Sequence, residues 1–198
     1  MRKPMAATLI LATSLSLTGC SLSAPDATGL MGDIMGDTLG DVGGMVGDVL
    51  GALAPADVMF AQMMIPHHQQ AVEMSELAET HASSPEVKAL AARIKTEQGP
   101  EIAKMKQWLQ SAGASETMDH SMPMEGMLTG AQMDELAAAT GPAFDKLYLG
   151  YMILHHQGAV LMAKVVQNSS NSEVSKLAKS IIDSQKSQID EMNKLLGK

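Results

Sequence analysis

Two stretches of the chain place the same side chains at the same spacing: Met64-Ile-Pro-His67-His68-Gln-Gln-Ala71-Val-Glu-Met74 and Met152-Ile-Leu-His155-His156-Gln-Gly-Ala159-Val-Leu-Met162. Four of the six histidines lie in these copies, 88 residues apart. Imidazole and thioether donors, with no thiolate and little carboxylate, favour Cu(I), with Ag(I) as a chemical mimic. Structural zinc would call for cysteines or a further histidine, and calcium or magnesium for oxygen clusters. A di-iron centre needs Glu-x-x-His, and positions 64 and 152 are methionine instead. The bland alternative is that the histidines are hydrogen-bonded core residues and the methionines core filler.

Helical geometry limits what each copy can do. Adjacent residues turn by about 100°, so His67 and His68 should straddle the edge of a face, one nearer the bundle axis. Met64 lies within one turn of both, and Met152 stands likewise to His155 and His156. Met74 points nearly along His67 but lies roughly 10 Å further along the axis, too far to share an ion with it easily. Ala71 and Ala159 leave room for close approach. Each copy therefore reads as two half-sites, completed by the other copy or by a linker, and several Cu(I) ions per chain are expected.

That linker, residues 111–129, carries Met118-Asp-His120-Ser-Met122-Pro-Met124-Glu-Gly-Met127, four methionines and a histidine without apolar periodicity. It resembles the Met-rich segments of bacterial envelope copper-handling proteins, so Met118, His120, Met122, Met124 and Met127 join the candidate ligands.

The elements that must position these groups follow from the rest of the chain. Residues 1–19 read as a signal: Arg2-Lys3, then an apolar stretch too short to span a bilayer comfortably, ending in Leu17-Thr18-Gly19-Cys20. This resembles a lipoprotein lipobox and implies a lipid on Cys20, a membrane anchor and a place in the cell envelope, facing the periplasm or the exterior. Cys20 is the only cysteine, which excludes internal disulfides, thiolate metal sites and a cysteine nucleophile. Loss of Arg2 and Lys3 leaves 12 basic residues against 22 acidic ones, a net charge of −10. That balance argues against nucleic-acid binding. With no nucleophile–base pair and no phosphate loop, no catalytic residue is assigned and no enzymatic activity is expected.

Residues 20–56 form a Gly/Asp-rich region with Gly32, Gly36, Gly40 and Gly44 four apart. It reads as a flexible tether, or as a glycine-zipper helix that would drive oligomer assembly; on the second view the protein is a structural lipoprotein with core histidines. Residues 57–198 repeat internally. Asp57 and Phe60 match Asp145 and Tyr148. After a one-residue change in offset, Gln98, Ile102, Met105 and Leu109 match Gln185, Ile189, Met192 and Leu196. Each half reads as a helical hairpin, with turns near residues 81–85 and 168–172, and a short helix is expected over 132–140. The fold class is all-α: two repeated hairpins forming a four-helix bundle. Pro66 should kink the first helix, and Gly99-Pro100 should interrupt the second.

With both motifs in hand, the chain resembles the bacterial family known as domain of unknown function 305. The resemblance rests on Met-x-x-His-His-x-x-Ala-Val-x-Met, on Phe144-Asp145, and on Gln-x-x-x-Ile-x-x-Met at Gln98–Met105 and Gln185–Met192. It implies a ferritin-like four-helix bundle with members that bind copper or silver in the envelope and support metal tolerance. The ligands it implies are His67, His68, Met74, His155, His156 and Met162, with Met64 and Met152 close by. Other copper-handling proteins are the partners such a role would imply.

Overall fold

The computed structural model describes residues 53–118 and 124–197. Among them are five helices and no strand: α1 Pro55–His81, α2 Pro85–Ser111, α3 Gly130–Ala138, α4 Gly141–Val166 and α5 Ser172–Leu195. Local chemistry sets their ends. Pro55 and Pro85 open α1 and α2, where a missing N–H costs nothing. Ser84 caps α2 by accepting from Val87 N at 3.2 Å, and Asn171 caps α5 by accepting from Glu173 N and Val174 N. Thr129 and Gln132 cap α3 reciprocally. Gly113, at φ +64°, ends α2 while Gly113 N and Ala114 N donate to Gln110 O and Leu109 O.

α1 and α2 form one hairpin and α4 and α5 the other. α1 packs along α4, while α2 and α5 approach each other sparsely. This is the expected all-α bundle of two repeated hairpins, with α3 as a short addition. The sparse flank is tied by polar contacts: Lys104 to Glu173 at 2.7 Å, Arg93 to Glu191, and Gln188 to Glu97 at 2.7 Å. Asp57 and Asp145, equivalent in the repeat, lock the hairpins together. Asp57 accepts from Ser169 in the α4–α5 turn, and Asp145 accepts from Ser83 and Ser84 in the α1–α2 turn.

The expected interruption at Gly99-Pro100 is not there. α2 runs continuously through both residues, as α1 does through Pro66. Each proline forgoes one hydrogen bond, but buried Leu90 and Ile94 before Pro100 and Met105 and Leu109 after it hold both halves of α2 on the core. No described helix is long and apolar enough to cross a membrane. The signal, Cys20, residues 20–52 of the Gly/Asp-rich region, His120 and Met122 lie outside the described residues, while Pro55 and Ala56 of that region already belong to α1.

The core is in two parts. One holds Met74, Leu90, Ile94, Phe144, Tyr148 and Met152; the other holds Phe60, Met64, Met105, Leu109, Ile181 and Ala163. What separates them is polar.

Candidate metal-binding site

His67, His68, His155 and His156 are all fully buried in this dividing layer. One histidine of each pair was expected nearer the edge; instead α2 and α5 cover the second one. Within a pair the rings do diverge, as helical geometry demands. His67 and His155 face each other across the α1–α4 contact, with ring centroids 3.8 Å apart. His68 turns to α2, where its Nε2 lies 2.8 Å from Glu101 Oε2. His156 turns to α5, where its Nε2 lies 2.6 Å from Gln188 Oε1. Glu101 and Gln188 are themselves equivalent in the repeat, so the arrangement is two-fold in character. Gln98 and Gln185, the other repeated pair, are buried in α2 and α5.

Three hydrogen bonds settle the state of three rings. The Glu101 carboxylate accepts, so His68 carries its proton on Nε2. Gln188 donates its amide to Glu97, which turns Oε1 toward His156 and makes His156 Nε2 the donor. His67 Nε2 lies 3.2 Å from the carbonyl oxygen of Glu125, which only accepts. Each of the three rings donates through Nε2, and in His67 and His156, which burial keeps neutral, the lone pair is left on Nδ1. Among the described residues, the Nδ1 atoms of all four histidines are buried and without a protein partner, as are both nitrogens of His155.

Burial keeps His67, His155 and His156 neutral. It lowers the His67 pKa to about 3, helped by the neighbouring charge of His68, and the His156 pKa to about 4. His155 is pushed well below its ordinary value, first by burial and then by His67. A neutral imidazole with a bare Nδ1 and an Nε2–H held by a carboxylate or carbonyl is the form in which histidine ligates metal.

The thioethers flank this layer from both sides. Met74 and Met152, one from each copy, share the first core cluster; Met64 lies in the second, with half-buried Met162 packed against it. Among the described residues no three His, Cys, Asp or Glu side chains come together to hold one ion. An ion here would have to draw on few nitrogen donors and on sulfur, a donor set that suits a soft monovalent cation better than zinc. Of the linker candidates, Met118, Met124 and Met127 are half-buried.

Sequence reasoning missed Glu101, Gln188, Gln70 and Gly158. Glu101 and Gln188 carry a legible signal, a polar residue breaking the apolar face of α2 and α5 at the same level in both halves. Gln70 and Gly158 carry none, because their partner is a loop backbone.

A match to the family described as domain of unknown function (DUF305) covers residues 57–196. Solved structures of similar chains agree with it. A candidate secreted DUF305 protein from Streptomyces coelicolor is 34% identical, with 72% of this chain and 92% of that chain covered and a TM-score of 0.69. CopM in its Cu(I)-bound form is 37% identical, with 70% of this chain and 94% of that chain covered and a TM-score of 0.60. CopM has also been solved in Cu(II)-bound, Ag-bound and apo forms. Among curated proteins there is no match.

Proposed function

This chain belongs to the DUF305 family, and from that premise we propose that it is a copper-binding protein of the cell envelope. It sequesters or passes on Cu(I) through histidine Nδ1 and methionine sulfur, and takes Ag(I) in the same way. One observation carries the reading: four buried imidazoles whose Nδ1 atoms have no protein partner among the described residues, bracketed by methionines from both copies of the motif. The likeness to CopM, bound to Cu(I), Cu(II) and Ag in its structures, supports it. The candidate secreted relative supports an extracytoplasmic location. Anchoring through a lipid on Cys20 belongs to the same proposal. Cys20→Ala would move the protein from the membrane to the soluble fraction if it is right and leave it in place if it is wrong.

The test is a Cu(I) titration of the purified protein against a chromophoric chelator, repeated on two variants. Met64, Met74, Met152 and Met162→Leu together remove sulfur while conserving core volume. His155→Gln removes one imidazole and keeps a polar side chain. Both are expected to weaken Cu(I) binding by about tenfold or more, the usual scale for loss of a supporting or ligating group. No Cu(I) uptake by the native protein, or unchanged affinity in both variants, would sink the proposal. More than one ion per chain is expected, since the donors are paired by the repeat.

A further inference from the structure

The two copies of the motif differ three residues after the first histidine of each pair, where one has Gln70 and the other Gly158. Both positions are occupied with the same thing, the C-terminal end of the Met-rich linker. Gln70 grips its backbone from the α1 side: Nε2 donates to Leu128 O at 3.0 Å, and Oε1 accepts from Leu128 N at 2.8 Å. Gly158 lets it lie against α4. A Cβ on Gly158 would fall 1.8 Å from Glu125 O and 2.5 Å from Glu125 C, which no side chain permits. Gly126, at φ +83°, meets α4 in return, where a Cβ would lie 2.5 Å from Leu154 O and 3.0 Å from His155 Cα. Leu128 is buried at the end of this contact. The Glu125 carbonyl so placed accepts from His67 Nε2.

We infer that Gln70 and Gly158 are positioning residues for the metal site, acting through the linker they dock. The linker backbone does for His67 what Gln188 does for His156: it holds the proton on Nε2 and leaves Nδ1 bare. The same docking leaves Met124 and Met127 half-buried instead of free in solvent. The difference between the copies is thereby explained. A second glutamine at 158 would occupy the space through which the linker passes, and a glycine at 70 would leave Leu128 unheld. The assignment rests on the metal-binding reading for its purpose, but its first consequence is visible without metal.

Imidazole nitrogen NMR on the full-length apo protein, with Gly158→Ala and Gln70→Ala as variants, separates the two. Gly158→Ala improves the intrinsic helix propensity of α4, so loss of fold is not its expected result, and Gln70→Ala leaves α4 untouched. In the native protein His67, His68 and His156 should all show the Nε2–H tautomer. In either variant His67 alone should lose it, while His68 and His156 keep theirs, and affinity for added Ag(I) should fall about tenfold or more. A role confined to packing would lower stability without a change at one ring. The inference is overturned if His67 keeps its tautomer in both variants, or if the tautomer changes and Ag(I) affinity does not. A native protein that bound no Ag(I) while its variants still changed the His67 tautomer would count instead against the metal reading, leaving Gln70 and Gly158 as docking residues only.

Discussion

A histidine that is neutral because it is buried makes folding depend on pH, and here three do so together. His67 at about 3 and His156 at about 4 lie below the value of about 6.5 expected in the unfolded chain, and burial pushes His155 well below it too. Between those values the unfolded chain binds more protons than the folded one. Stability is therefore complete above pH 6.5 and is lost as pH falls toward the folded values. Beyond the first unit below 6.5, each further unit costs about 1.4 kcal/mol per histidine. The urea midpoint of the apo protein should fall steeply between pH 7 and pH 5, and His155→Gln should flatten that slope by about one proton. An apo midpoint unchanged over this range would show that the rings are not held neutral by burial.

At the scale of the helices, intrinsic preference and packing disagree in places, and packing wins. Gly99-Pro100 predicts a break that α2 does not show, because apolar residues on both sides of the proline are buried on one continuous face. Gly99 is a simpler case: it is exposed, and apart from its two chain neighbours and the backbone of its own helix a Cβ there would meet nothing within 4 Å. Gly99→Ala should stabilise the protein by about 1 kcal/mol, read from thermal or urea unfolding. A loss of stability would mean that α2 needs a glycine ahead of Pro100 to absorb strain. The same contrast explains what could be read in advance. The turns near residues 81–85 and 168–172, the hairpins and the doubled histidines are local or periodic signals, and they were legible. The docking of the linker depends on a backbone carbonyl meeting a glycine from 33 residues further on, and no local pattern encodes that. The covering of His68 and His156 was hidden for a related reason. Whether a helix edge faces solvent depends on how closely a third element approaches it.

For the molecule as a whole, the histidine layer is an expense that the two-fold arrangement duplicates. It divides the apolar core into two clusters and leaves eight buried nitrogen or oxygen atoms of His67, His68, Gln98, His155, His156 and Gln185 without a protein partner. Each such atom costs about 1–3 kcal/mol, against a total stability of about 5–15 kcal/mol for a typical domain. A bundle selected only for stability would fill this layer with apolar side chains, as it does in the clusters on either side. An ion accepted by the bare Nδ1 atoms offsets part of that cost and binds the folded state alone, so occupancy must appear as stability. At a free Ag(I) concentration 100 times its dissociation constant, each site should add about 2.7 kcal/mol. At about 3 °C per kcal/mol, the melting temperature should rise on the order of 8 °C per site filled. Zn(II) at the same concentration should raise it less, since no three His, Cys, Asp or Glu side chains among the described residues converge on one point. The comparison also tests the rival view of these residues. Histidines that serve only as packed core groups give a melting temperature indifferent to both ions.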